Sequence, residues 1–302
     1  MRFDRRFAGV ALLAFTFPAL GWGNERPLDG SLRKLATRQA QAEAAKASAP
    51  NGQVGSFAVN ANSLLAGMDV DPAIVISPML TGDARQGGVF PTLGSLAPTM
   101  GSNFSWLSSG IAGAGTPQTV DPAGVYTEPG WDSPAGCASG GGYDCITLGF
   151  SFNVPVGMHS LHFDFNFMSV EYPEFVNLGF NDSFIVSLAS PTYNYANVVF
   201  DSQGNPINID SAFFNQPCSS LTGTGFDLYQ FDGSCDAGAT GSLTTDAPIE
   251  PGETVTVTFT IRDNGDGIYD SAVLLDNFQI TAEIVDGPQT SGGVMIDYLS
   301  PK

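Results

Sequence analysis

The chain has 302 residues, with 30 Asp and Glu against 11 Lys and Arg, for a formal charge of −19. The imbalance is concentrated: residues 1–50 hold eight of the basic side chains, leaving Arg85, Arg262 and Lys302 against 26 acidic ones, a charge near −23 for the remainder. Such a surface repels nucleic acid and anionic lipid and attracts divalent cations, while 22 Phe and long apolar alternations exclude a disordered acidic chain.

The N-terminus reads as an export signal. Arg2, Arg5 and Arg6 precede an apolar run over 7–20, and the small residues Gly21 and Gly23 follow. That run is short for a membrane span, so residues 1–23 are expected to be cleaved as a signal peptide. Residues 24–53 are Ala-rich with too few apolar positions to define a buried face, and are expected to form a helical spacer or linker. Pro50, Asn51 and Gly52 close it. The folded domain is expected over 54–286, with 287–302 as a C-terminal tail that holds no bilayer-spanning stretch. A secreted, extracellular protein without direct membrane insertion follows.

Within the domain, residues 60–68 are expected to form one or two helical turns, because Asn60 or Asn62 can cap and Leu64 and Leu65 can pack. Residues 73–76 read as a strand. Residues 82–115 are Gly- and Ser-rich with isolated apolar anchors such as Phe90, Phe104, Trp106 and Leu107, which suggests short strands and turns. Residues 116–144 read as a long stapled loop. Strands are expected over 146–154, over 161–167, where four apolar residues alternate with His162, Asp164 and Asn166, and over 184–188. Short strand candidates such as 196–200 follow. The clearest strand comes after Pro251-Gly252, where Val255, Val257, Phe259 and Ile261 alternate with threonines, and another spans 273–284. Many short strands, few helices and Gly/Pro turns predict an all-β, antiparallel sandwich of jelly-roll or lectin-like type, with a short N-terminal helix.

The four cysteines fall as two local pairs, Cys137 with Cys145 and Cys218 with Cys235, each in a Gly/Ser-rich loop. Three connectivities exist, and the local one is favoured. Their spacings are not those of a zinc knuckle, and the only histidines are His159 and His162.

Two acidic constellations carry the chemistry. The loop between the strands over 161–167 and 184–188 holds Glu171, Glu174, Asn181 and Asp182 among Tyr172, Pro173, Phe175 and Phe180, an oxygen-rich loop in an apolar setting suited to a hard cation or polar ligand. The segment Asp263-Asn264-Gly265-Asp266-Gly267-Ile268-Tyr269-Asp270 resembles a calcium loop. It is not an EF-hand, because the apolar Leu274 stands where the bidentate Glu should fall. A tight acidic turn between strands is the alternative. Counting in twos, Leu274, Asp276, Phe278, Ile280 and Ala282 share a face, which would put Asp276 among core residues. A buried carboxylate there needs a cation, Arg85 or Arg262, or backbone N–H groups at a strand end.

Catalysis has little support. Glu171 and Glu174 form a carboxylate pair of a kind that any acidic chain offers by chance. No Gly-x-Ser-x-Gly elbow accompanies either histidine, and no enzyme is expected.

Ser169-Val170-Glu171-Tyr172-Pro173-Glu174-Phe175-Val176, followed by Gly179-Phe180-Asn181-Asp182-Ser183-Phe184, resembles a signature of choice-of-anchor L domains. The stretch from Arg262 through Asp270-Ser271-Ala272-Val273-Leu274-Leu275-Asp276-Asn277-Phe278 is similar to that family's C-terminal end. Weaker agreement occurs at Ser108-Ser109-Gly110-Ile111 and Gly238-Ala239-Thr240-Gly241, so the likeness spans about 60–284. It implies an exported bacterial domain with a lectin-like sandwich, attached to the cell surface by varied signals. Two departures stand out: Val170 replaces the first glutamate of the usual pair, and no recognisable anchor follows the domain, which implies release or attachment through partners.

The resulting expectation is a secreted, calcium-stabilised binding or adhesion module, with Glu171, Asn181, Asp182, Asp266, Asp270 and Asp276 as calcium ligands. The acidic loop and the acidic turn would then be two halves of one site. Loop aromatics (Trp106, Trp131, Tyr143, Tyr193) make carbohydrate the expected ligand class. Partners would be a surface glycan, another surface protein or a second copy. The alternative is a structural subunit of an extracellular matrix or surface fibre, and a third reading is a hydrolase using Glu171 and Glu174.

Overall fold

The computed structural model describes residues 59–110, 142–228, 234–235, 237–265 and 269–292. The export signal, the spacer, Cys137, Trp131 and Asp266 lie outside them. Helix α1 (Ala61–Gly67) begins at Asn60, whose side chain accepts from Ser63 N at 3.0 Å while Asn60 N donates to Ser63 Oγ at 3.1 Å. This reciprocal cap satisfies two orphan donors of the first turn. Leu64 and Leu65 are buried, and the helix packs on the edge of the sandwich.

The strands are β1 (Met79–Thr81), β2 (Gly87–Phe90), β3 (Phe104–Ser108), β4 (Tyr143–Asn153), β5 (Ser160–Ser169), β6 (Ser183–Ala189), β7 (Asn194–Tyr195), β8 (Ile207–Asn208), β9 (Gln216–Pro217), β10 (Gly238–Ala239), β11 (Leu243–Pro248), β12 (Thr254–Asp263), β13 (Ser271–Thr281) and β14 (Gln289–Gly292). They form two antiparallel sheets. The first has the order β1-β4-β12-β6-β7, with β8 also on β6; the second has the order β14-β11-β5-β13-β3-β2, with β10 on β5 and β9 on β10. The chain crosses between sheets from β4 to β5 to β6, and again from β11 to β12 to β13. The all-β antiparallel sandwich with one short N-terminal helix is therefore what forms.

Period-two alternation builds the core. Ile146, Leu148, Phe150 and Phe152 of β4 lie beside Val255, Val257, Phe259 and Ile261 of β12, and the latter beside Leu188, Val186 and Phe184 of β6. Opposite them stand Leu161, Phe163, Phe165 and Phe167 of β5. The Phe163 and Phe259 rings meet edge-on at 5.2 Å, and those of Phe165 and Phe184 approach to 5.0 Å. On the outer face of the first sheet, hydroxyls pair across strands: Thr147 with Thr260 at 2.9 Å, Ser151 with Thr256 at 2.8 Å and Ser187 with Thr258 at 2.6 Å.

Three local expectations are overturned. Residues 73–76 form a turn, because Asp71 Oδ1 accepts from Ala73 N at 2.8 Å and Asp71 O from Ile74 N at 3.1 Å; the edge strand comes later, at β1. Residues 196–200 are not a strand, because Asn197 Oδ1 accepts from both Val186 N and Val199 N at 3.1 Å, so a side chain takes the place of ladder carbonyls.

The third correction concerns Asp276. It pairs with Asp164, but the register then shifts and the next pair is Gln279 with His162. Asn277, at φ 54, forms the bulge. Strand β13 therefore changes phase: Leu274 and Asp276 lie beside Asn166 and Asp164 on the outer face, whereas Phe278 turns inward, its ring 5.2 Å from that of Phe150. Asp276 does not share a face with Phe278 and Ile280.

Cys218 and Cys235 form a local disulfide with a sequence separation of 17. Cys145 is also disulfide-bonded. Among the described residues, no helix is long and apolar enough to cross a membrane. Strand β14 falls in the stretch read as a tail and pairs with β11.

Candidate functional site

The inward-facing alternation of the long strands does not stop where the apolar residues stop. Two residues beyond Ile261 on β12 is Asp263, and two before Phe184 on β6 is Asp182. In the second sheet, Ser169 follows Phe167, Ser271 precedes Val273 and Ser109 follows Leu107. One end of the sandwich interior is thus closed by a polar layer, with carboxylates from the first sheet facing serines from the second.

Hydrogen bonds knit this layer. Ser271 Oγ donates to Asp182 Oδ2 at 2.8 Å, and Asn264 N donates to Asp182 Oδ1 at 3.0 Å. Ser271 N donates to Ser109 Oγ, and Ser109 N to Ser271 O, both at 2.9 Å. Gln86, fully buried, donates from Nε2 to Ser109 O at 2.9 Å and to Asp144 O at 2.7 Å, bridging the end of β3 to the start of β4.

The acidic loop and the acidic turn meet here. Val170 N donates to Asp270 O at 3.4 Å, and Asn264 Nδ2 donates to Asn181 O at 2.6 Å. Gly265 lies against the Gly179 carbonyl, which a Cβ at this position would meet at 2.9 Å; its φ of 95 also requires glycine. Aromatic contacts hold the two segments together, with the Phe175 ring 5.8 Å from both Phe180 and Tyr269. Asp270 sits tightly against the chain, since a Cβ on Gly110 would fall 2.0 Å from Asp270 Oδ2.

Asp144, Glu171, Asp182, Asp263 and Asp270 are all buried, with Glu171, Asp182 and Asp263 at 0% exposure. Asp263 is strained electrostatically. Neither of its carboxylate oxygens has a hydrogen-bond partner. Burial pushes its pKa well above the usual carboxylate value, and repulsion from Asp182, Asp270 and Asp144 pushes it further. The Ser109 hydroxyl pulls the other way but lies outside hydrogen-bond geometry for either oxygen. Asn181 Oδ1 is likewise buried without a partner. Arg262 projects from the opposite face of β12, where its Nε donates to Ser183 Oγ at 3.3 Å and burial lowers its pKa. Among the described residues, no three His, Cys, Asp or Glu side chains stand in a geometry that holds a metal ion directly.

Of the six residues read as calcium ligands, Asp182 and Asp270 converge on Asp263. Glu171 follows Val170, the residue bonded to Asp270, and Asn181 precedes Asp182. Asp276 stands apart. It is five residues along β13 from Ser271, about 16 Å at strand rise, and on the outer face, so no ion bridges it to Asp270. Asp276 Oδ2 instead accepts from Thr99 N at 2.5 Å and Met100 N at 3.2 Å, and its Oδ1 accepts from Asn277 N at 2.8 Å. Burial raises its pKa to about 6 against these bonds. Beside it, Asp164 accepts from Thr99 Oγ1 and Thr244 Oγ1, each at 2.6 Å, and from Asn277 Nδ2 at 2.9 Å; His162 Nδ1 lies 2.8 Å from Asp246 Oδ1. The backbone N–H alternative raised for Asp276 is thus the one observed.

The residues missed from sequence are Asp263, as a buried centre, and its neighbours Asp144, Ser109 and Ser271. Continuing the strand alternation past the last apolar residue would have found Asp263, Ser109 and Ser271. Asp144 sits at φ 48 next to a register shift and carried no such signal. Of the aromatics read as sugar platforms, Trp106 is fully buried with its ring 6.1 Å from Phe226. Tyr143 is exposed, and Tyr193 stacks on Tyr195 at 5.8 Å with an interplanar angle of 15°.

Fold and site together define a two-sheet antiparallel β-sandwich whose apolar interior ends in a buried carboxylate layer. The chain carries a choice-of-anchor L domain: that family's model matches residues 130–279. The matched span contains both acidic motifs and leaves α1 and β1 to β3 outside it, although β2 and β3 complete the second sheet. Domains of this family occur in exported bacterial surface proteins. One solved structure, the enzymatically active domain of tailspike protein 4 of bacteriophage CBA120, is similar over 68% of this chain and 19% of its own length, with 12% identity and a TM-score of 0.24. That likeness is too slight to carry an argument. No curated protein sequence matches the chain.

Proposed function

We propose that the protein is an exported, surface-associated binding or adhesion module that does not catalyse a reaction, that calcium stabilises its sandwich, and that its ligand is a surface carbohydrate or another surface protein. The observation that carries the calcium part is the buried carboxylate of Asp263, lying with Asp182 and Asp270 where the two sheets meet, in a domain short of basic residues. A structural cation offsets the repulsion that otherwise opposes closing this end.

Support for a carbohydrate ligand comes from the edge of the first sheet. There the Tyr193–Tyr195 stack adjoins Glu250, which accepts from Tyr193 Oη at 3.2 Å, and Glu253, which accepts from Thr192 Oγ1 at 2.6 Å and Ser190 Oγ at 2.7 Å. Aromatic faces beside ordered carboxylates suit a sugar's apolar face and hydroxyl edge.

A glycan array probed with the purified protein, in calcium and in chelator, tests this reading. Expected is binding to a limited glycan set that weakens when Tyr193 and Tyr195 are replaced by Ala. A blank array together with concentration-dependent self-association in light scattering would transfer the assignment to a fibre or matrix subunit. Calorimetric melting in the same two buffers tests the calcium part, which an unchanged midpoint would sink.

A further inference from the structure

We propose that Asp263 is the central ligand of a divalent-cation site, of calcium type, completed by Asp182 and Asp270 at the carboxylate end of the sandwich. This rests on the calcium part of the reading above and moves its centre to a residue outside the set deduced from sequence.

Asp263 is fixed by β12 on the inward face, fully buried, with both oxygens unpartnered. A buried carboxylate in that condition carries a desolvation cost that only a proton, a donor or a cation offsets. Its nearest charged neighbours are carboxylates, which aggravate the cost. Asp182 is held in place by Ser271 Oγ, which donates to its Oδ2, and by Asn264 N, which donates to its Oδ1. Asp270 is pinned against Gly110. Asn181 Oδ1, also buried and unpartnered, adds a neutral oxygen next to Asp182.

These donors are oxygens without an accompanying thiolate or imidazole, the set that hard cations take. They do not form a ready ligand set, so binding requires the Asp263 and Asp270 carboxylates to turn toward a common point. Calcium tolerates such irregular geometry, with roughly six to eight oxygens and water completing its shell, whereas magnesium demands a near-ideal octahedron. Asp263 ends β12 and Asp182 directly precedes β6 in the first sheet, and Asp270 leads into the second, so the ion would tie the sheets together at this end of the sandwich.

Terbium(III), which accepts calcium's oxygen ligands, is the probe. Tyr269 is buried next to Asp270 and would sensitise its emission. Chelator-treated full-length protein is titrated with terbium, and the bound ion is then displaced with calcium and with magnesium. Expected is saturable emission with one ion per chain, displaced by calcium well before magnesium, and weakened by more than about tenfold in Asp263→Asn. Asp276→Asn, which alters the other acidic cluster, should bind as the wild type does.

Absence of saturable emission, an Asp263→Asn protein that binds normally, or loss of binding in Asp276→Asn would each overturn the site. If Asp263→Asn fails to fold by circular dichroism, Asp270→Asn takes its place with the same expectation. Glycan binding is read separately. A protein that binds glycan but no terbium sinks the site alone, and one that binds terbium but no glycan or surface sinks the recognition reading alone.

Discussion

Ser271 donates its hydroxyl to Asp182 Oδ2 at 2.8 Å, joining the first residue of β13 in one sheet to the residue before β6 in the other. Both groups are fully buried. Removing the donor leaves a buried carboxylate oxygen short of a partner, so Ser271→Ala is expected to lose about 1–3 kcal/mol of stability. Urea denaturation measures this. A double-mutant cycle with Asp182→Asn should give a coupling of about 0.5–3 kcal/mol, and additivity would show that the contact does not join the sheets.

Asp276 carries a pH signature. Its pKa in the folded protein, about 6, lies above the ordinary value of 3.8, with burial the largest cause. The folded state therefore binds this proton more tightly than the unfolded chain. Stability from this group is fully present below 3.8 and is lost as pH rises through about 6. The unfolding free energy of wild type minus that of Asp276→Asn should accordingly fall across this window and level off above it. Denaturant melts at half-unit pH steps, with chelator present, check the sign. A difference that rises with pH would contradict the burial of this carboxylate.

Gly110 permits the close approach of Asp270. Gly110→Ala puts a Cβ 2.0 Å from where Asp270 Oδ2 now lies, so the carboxylate must move. The expected cost is about 1–3 kcal/mol. If Asp270 ligates a cation, terbium affinity should fall in parallel. A stable Gly110→Ala protein with unchanged terbium binding would show that Asp270 is not needed where it sits.

Asn277 sets the phase of β13. Its φ of 54 is tolerated by Asn and Gly and costs a β-branched residue roughly 1–2 kcal/mol or more. Asn277→Gly should therefore remain more stable than Asn277→Val, even though both lose the bond from Nδ2 to Asp164 Oδ2. Thermal melts of the two variants give the order, and the reverse order would mean that the bulge is not a required feature.

The Cys218–Cys235 bridge closes a loop of sequence separation 17. Chain entropy gives such a closure about 3 kcal/mol, so the Cys218→Ser, Cys235→Ser double variant should unfold at lower urea with the sandwich intact. Loss of β-sheet circular dichroism would show instead that the staple is needed for the fold.

The sequence alone determined the strands and their buried faces, because a period of two in β4, β5, β6 and β12 is a local property that burial on one side imposes on consecutive residues. It narrowed the helix cap to Asn60 or Asn62, and it favoured the local cysteine pairing, since a short loop closes at least entropic cost. It placed the acidic loop and the acidic turn, whose residues are contiguous. It failed at 73–76 and 196–200, where Asp71 and Asn197 side chains compete for backbone N–H groups that a strand would have used. Only the tertiary structure decided which carboxylates face one another. Asp144, Asp182, Asp263 and Asp270 come from segments far apart in the chain, and their electrostatic cost exists only once two sheets bring them out of water. Nor could alternation foresee that one residue in a left-handed conformation, Asn277, would reverse the facing of β13 and carry Asp276 from the interior to the outer side.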